Sequence, residues 1–184
     1  GPSMVHPRVL HALAQPLLGH LDPLFLGLMN EIQSRLRVTF QTNNAFTIAL
    51  SGTGSAGMEA VIANLIEPGD RALVGVNGVF GTRLATMIER QGGVPLRIDA
   101  PWGDIIPLDS LRDQLALSGP VKAVVLVHAE TSTGARQPLE EVGALCREYG
   151  ALLIVDAVTS LGGIPVEVDT WGIDACYSGT QKCL

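Results

Sequence analysis

Short apolar runs alternate with amphipathic stretches along most of this chain, and that alternation restricts the fold more than any other feature. The segments 71–76, 94–98, 121–127, 151–155 and 173–177 are nearly continuous apolar runs, preceded by another short one at 46–50. Between them, 58–66, 79–91, 108–117 and 138–149 carry apolar residues at helical spacing. So does 21–40, with Leu24, Phe25, Leu28, Ile32 and Leu36 in register. Runs of four to seven apolar residues separated by amphipathic helices predict βα units on one sheet. The runs are continuous rather than alternating, so both faces of the sheet are expected to be covered. The expectation is an α/β fold: a mostly parallel sheet with helices on both faces.

The chain has 184 residues, enough for one domain or one domain with part of another. Its 21 glycines and 11 prolines are dispersed, as many short connections would require. Residues 1–20 carry extra prolines and little periodicity, and read as an N-terminal arm ahead of one domain spanning 21–184. A net charge of −6 with no lysine or arginine run argues against nucleic acid as a partner. No apolar stretch approaches the roughly 20 residues of a membrane helix, so no membrane partner is expected. The opening residues show no signal-peptide pattern, which makes the cytoplasm the default location. Three cysteines without a CxxC pair read as free thiols, and no metal site is expected.

In open α/β sheets, ligands gather outside the carboxyl ends of the strands. Polar residues fall there repeatedly: Thr53 and Ser55, Asn77, 128–133, Asp156, and Gln181 with Lys182. The loop Gly52-Thr53-Gly54-Ser55-Ala56-Gly57 formally matches the dinucleotide fingerprint G-x-G-x-x-G. That reading needs an acid at the end of the next strand, which instead ends Gly75-Val76-Asn77. A glycine-rich turn holding one phosphate at a helix N-terminus is the second reading, and a ligand-free tight turn the third. Asp156 follows the buried run at 151–155 and reads either as a helix N-cap or as the partner of a cationic ligand group. Lys182 follows 173–177 and reads either as a surface charge or as an amine nucleophile on the same rim as Asp156. Lysine, aspartate and a phosphate-binding turn on one sheet edge match the needs of pyridoxal phosphate.

Five motifs extend this pattern in order: 51–55 Ser-Gly-Thr-Gly-Ser, 75–81 Gly-Val-Asn-Gly-Val-Phe-Gly, 128–134 His-Ala-Glu-Thr-Ser-Thr-Gly, 155–163 Val-Asp-Ala-Val-Thr-Ser-Leu-Gly-Gly and 178–182 Ser-Gly-Thr-Gln-Lys. Together they resemble the alanine–glyoxylate and serine–pyruvate branch of the class V aminotransferases, a fold-type-I pyridoxal-phosphate family. The resemblance covers essentially the whole chain. It implies the large, cofactor-binding domain of that fold in its N-terminal part, with the arm contributing to a small domain. It further implies a homodimer acting on a small amino acid (alanine or serine) and a 2-oxo acid, with glyoxylate expected.

Carried over position by position, the resemblance makes Lys182 the aldimine-forming residue and the proton-transfer base, and Asp156 the partner of the ring nitrogen. It places Ser132 at the cofactor's 3′ oxygen, with Val158 on one ring face and Phe80, where relatives have tryptophan, on the other. Thr53, Gly54, Ser55 and Gln181 would hold the phosphate, with Ser55 replacing a histidine of some relatives. His128 and Glu130 receive only packing or supporting roles. Family members continue well beyond the lysine, and the arginine that clamps the substrate carboxylate is expected in that remainder. Within the family, a ureidoglycine–glyoxylate enzyme is the nearest alternative. Cysteine desulfurase chemistry would need a mobile cysteine and nearby histidines that are not identifiable here. Outside the family, a dinucleotide-binding module on the 52–57 loop and a non-catalytic fragment remain open.

Overall fold

The computed structural model describes residues 3–184; the first two residues of the N-terminal arm lie outside it. The apolar runs become five parallel strands: β1 (Arg71–Val76), β2 (Val94–Asp99), β3 (Ala123–Val127), β4 (Leu152–Asp156) and β5 (Ala175–Tyr177). They lie in the order β2-β1-β3-β4-β5. The helices are α1 (Pro7–Leu13), α2 (Pro23–Phe40), α3 (Gly54–Leu65), α4 (Val79–Arg90), α5 (Leu108–Ser118) and α6 (Val142–Glu148).

Successive strand residues point to opposite faces, and both faces are buried. Leu73, Val124, Leu126, Leu153 and Val155 pack with Leu111 and Leu115 of α5 and Leu145 of α6. Ala72, Val74, Val125 and Ile154 pack with Met58 and Ile62 of α3 and Leu84 and Ile88 of α4. The expected covered sheet is therefore what the chain forms. After β1 the chain leaves by α4 to β2 on one side, then returns by α5 on the other face to β3 on the opposite side. The strand order thus reverses between β1 and β3, and a crevice opens at their carboxyl ends.

Four details depart from expectation. The run at 46–50 is extended but pairs with no strand of the sheet. Phe46, Ile48 and Leu50 stay exposed. They line an apolar groove of about 510 Å³ whose other wall includes Ala175 and Cys176 of β5. An apolar run alone does not specify a ladder partner, and this one has none among the described residues. The helix expected at 58–66 begins earlier, at Gly54, so the last four residues of the glycine loop form its first turn. The helix expected at 138–149 is confined to α6. Its start is delayed because Leu139 N–H is taken by the Glu140 carboxylate and Pro138 C=O by the Gln137 side chain. The arm contains the short helix α1, which Pro7 and the His6 side chain initiate.

α2 forms as expected, started by Asp22, whose carboxylate accepts the Leu24 N–H at 2.8 Å. Its apolar stripe of Phe25, Met29, Ile32 and Leu36 is only half-buried. No helix among the described residues is long and apolar enough to cross a membrane.

Candidate active site

Chemistry on this fold is decided by what stands at the carboxyl ends of the strands. Asp156 is the last residue of β4 and is 3% exposed. Its Oδ1 accepts the Val158 N–H at 2.9 Å and its Oδ2 accepts the Tyr177 phenol at 2.7 Å. Burial raises its pKa, against the two hydrogen bonds, which lower it; the nearby Glu130 charge raises it further and Arg83 opposes that. No Lys, Arg or His forms an ion pair with it among the described residues. Of the two sequence readings, a helix N-cap fails, because the residues after Asp156 form turns rather than a helix.

Tyr177 ends β5, directly opposite Asp156 in the ladder, which explains their contact. Its own pKa is driven well up by burial and by the adjacent carboxylate. It therefore remains a neutral donor across the physiological range. This residue escaped sequence reasoning. The signal was its position, since it closes a short strand beside an acid-terminated one.

The glycine loop folds over the same edge. Thr53 is the N-cap of α3 but makes no side-chain cap hydrogen bond, so the first N–H groups of the helix are left for an external acceptor. Gly54 is buried, and a Cβ there would come within 3.0 Å of Val158 Cγ2 and 3.5 Å of Gln181 Nε2. Three of the expected site residues (Gly54, Val158 and Gln181) are thus brought together by the fold. Ser55 accepts a 3.1 Å hydrogen bond from Arg83 Nη1. The same guanidinium lies 4.9 Å from the centre of the Phe80 ring. Arg83 was missed because the motif containing Phe80 ends at Gly81; its spacing of three from Phe80 on α4 was the available signal.

Lys182 is half-buried, one residue before Cys183, whose thiol contacts Thr159 C=O at 3.6 Å. Gly162 and Gly163 allow that approach, since a Cβ on either would collide with Cys183. Lys182 makes no ion pair among the described residues. Through Cys183, the backbone at Lys182 lies beside the turn that follows Asp156. Thr131 and Thr159 hydroxyls join the turns after β3 and β4.

The remaining strand-end polar residues divide. Asn77 is buried and spends its amide on Asp104 C=O, pinning the loop before α5. His128 is fully buried on the opposite face of the sheet, edge-on to Trp171 at 5.4 Å, with neither ring nitrogen bonded. It is a core residue. Burial and the charge of Arg136 lower its pKa to about 4. Glu130 is buried on the site side, against Phe80 and Ser132. Among the described residues no group of three or more His, Cys, Asp or Glu gathers as metal ligands.

The chain has relatives among known proteins. Residues 11–184 match the family model described as aminotransferase class-V. The whole chain is 44% identical to the (S)-ureidoglycine–glyoxylate transaminase of Bacillus subtilis, of which it covers 44%. It is 43% identical to the alanine–glyoxylate aminotransferase of Rattus norvegicus, again covering 44%. The crystal structure of alanine–glyoxylate aminotransferase from Nostoc sp. superposes with a TM-score of 0.96 at 57% identity, over 98% of this chain and 48% of that one. The chain thus spans about half the length of the relatives it matches. Its parallel sheet and its match over nearly every residue lead to one conclusion: the chain belongs to the class V aminotransferase family.

Proposed function

We propose that this chain carries the cofactor-holding part of a pyridoxal-phosphate-dependent aminotransferase. It would move an amino group from alanine or serine to a small 2-oxo acid, glyoxylate, as a homodimer. The observation that carries the reading is Asp156, a buried carboxylate with donors on both oxygens and no cation in contact among the described residues. Such a group is costly to bury unless a cation or further donor meets it. A protonated pyridine nitrogen is both. The uncapped first turn of α3 supplies what a phosphate needs on the same edge.

When bound, pyridoxal phosphate supplies an aldehyde carbon that takes up amines and a ring that accepts the electron pair left by removal of an α-proton. Asp156 would hold the proton on the ring nitrogen, its carboxylate aimed by Tyr177 and the Val158 N–H, whose hydrogen bonds favour the charged form. Thr53, Gly54, Ser55 and Gln181 would hold the phosphate, and Arg83, bonded to Ser55, would add a positive charge there. Phe80 and Val158 would flank the ring, and Ser132 would meet its 3′ oxygen. Lys182 Nζ would hold the aldehyde and would serve as the base for the proton at the substrate α-carbon.

Glyoxylate as acceptor is supported by its presence in the names of both the B. subtilis and the rat relative. The former, at 44% identity, also favours ureidoglycine as a second donor class. A dinucleotide module is disfavoured on two counts. The segment before the glycine loop is outside the sheet, and β1 ends without an acid.

The test is an assay of the full-length protein with alanine and glyoxylate, following glycine and pyruvate. Wild-type turnover with at least a thousandfold loss in Lys182→Ala supports the reading. Equal turnover in both proteins contradicts it.

A further inference from the structure

Helix α4 begins without a capping side chain of its own, because its N-cap is Gly78. Its first three N–H groups are satisfied from elsewhere. Glu130 Oε2 accepts Phe80 N–H at 3.0 Å and Gly81 N–H at 3.2 Å, while Ser132 Oγ accepts Val79 N–H at 3.0 Å. The other carboxylate oxygen, Glu130 Oε1, accepts both the Ser132 N–H at 3.2 Å and the Ser132 hydroxyl at 2.7 Å. Four donors and the positive end of the α4 dipole therefore surround a carboxylate that is 1% exposed. Gly78 makes the approach possible, since a Cβ there would overlap Glu130 and Ser132 Oγ.

The backbone of Glu130 is itself clamped. Its N–H donates to Ala135 C=O, its C=O accepts from Gly134 and Thr133, and Ala129 bridges Arg136. Thus a fixed turn after β3 reaches across the crevice between β1 and β3 and grips the start of α4. That crevice is where the strand order reverses. The gripped atoms belong to Phe80, Gly81 and Ser132, and the pyridoxal-phosphate reading sets Phe80 against the ring face and Ser132 at the 3′ oxygen.

We propose that Glu130 is a positioning residue, which through its two oxygens holds Phe80 and Ser132 at a fixed separation and so shapes the slot for the cofactor ring. This rests on the pyridoxal-phosphate reading of the site. With its hydroxyl proton committed to Glu130 and one lone pair taken by the Val79 N–H, Ser132 Oγ can meet a further group only as an acceptor. Glu130 therefore also sets the protonation of whatever oxygen Ser132 meets. The Glu130 charge bears on Asp156 as well, across the same slot.

Glu130→Gln keeps the shape but replaces one acceptor oxygen by an N–H donor, which must then face either the α4 amides or Ser132. The experiment uses full-length apoprotein titrated with pyridoxal phosphate, and the bound form titrated with pH while its visible absorbance is followed. Melting without cofactor is measured in parallel. Leu115→Ala, in the core on the opposite sheet face, controls for general destabilisation.

The expected result is at least a tenfold weaker affinity and a displaced pH midpoint in Glu130→Gln, with Leu115→Ala lowering the melting temperature but changing neither. Wild-type affinity and midpoint in Glu130→Gln, even with a lower melting temperature, would overturn the inference and leave Glu130 a helix cap only. Should Glu130→Gln fail to fold, Glu130→Asp, which keeps the charge but shortens the reach, is read against the same two outcomes. Wild-type protein that binds no pyridoxal phosphate would overturn the cofactor reading itself, which keeps the two failures distinct.

Discussion

The phenol of Tyr177 donates a 2.7 Å hydrogen bond to Oδ2 of Asp156, across the β4–β5 ladder and out of reach of solvent. It favours the charged carboxylate, whereas burial favours the neutral acid, and burial prevails: the pKa of Asp156 lies above its ordinary value. The sign of the linkage follows. A carboxyl whose folded pKa exceeds its unfolded value contributes stability at low pH, which is lost as pH rises through the folded pKa. Tyr177→Phe removes the donor, raises the Asp156 pKa further and deepens that loss. Denaturant unfolding of the cofactor-free protein should show a deficit of about 1–3 kcal/mol at neutral pH that shrinks in acid. A variant as stable as wild type at both pH values would show that this bond does not hold the carboxylate charged.

His128 has the opposite linkage. Its pKa falls from 6.5 to about 4 in the fold, so its neutral form is the folded one. The stability it contributes is complete above pH 6.5 and is lost as pH drops toward 4. His128→Phe preserves an aromatic edge against Trp171 and removes two unbonded buried nitrogens. Melting curves between pH 7 and 4 should fall less steeply in this variant, and its affinity for pyridoxal phosphate should not change. An unaltered acid dependence would show that His128 is not the group responsible.

Gly54 separates the phosphate contact from the ring contacts. Alanine there would press its Cβ to 3.0 Å from Val158 Cγ2 and force the first turn of α3 away from the sheet edge. Pyridoxal phosphate should bind about tenfold more weakly to Gly54→Ala, a cost of about 1.4 kcal/mol. Pyridoxal, which lacks the phosphate, should lose much less. Equal losses for both ligands would mean that the α3 N-terminus does not hold the phosphate.

How much of this was legible in the residues depended on the range of the interaction. The strands 71–76 and 151–155 were readable because a run buried on both faces must be apolar throughout. Asp156 and Lys182 were readable as candidates because strand ends collect ligands. The grip of Glu130 on Phe80 was not, since it joins residues 50 apart through the β1–β3 crossover and leaves no local pattern. Tyr177 looked like one more apolar strand residue; only the ladder register sets its hydroxyl against Asp156. Gly54 and Gly57 read as loop because glycine is a poor helix former, yet both lie in α3, and at Gly54 the helix approaches Val158 so closely that a Cβ would be crowded. The run at 46–50 carries the composition of a buried strand, and composition is silent on which edge, if any, it joins.

The most direct measurement is borohydride reduction of the full-length protein after incubation with pyridoxal phosphate, followed by peptide mapping. Loss of visible absorbance on reduction, with the cofactor fixed on Lys182 and no other lysine, is the expected result. A cofactor fixed elsewhere, or no bound cofactor at all, would contradict the assignment of Lys182 and with it the proposed chemistry of the rim.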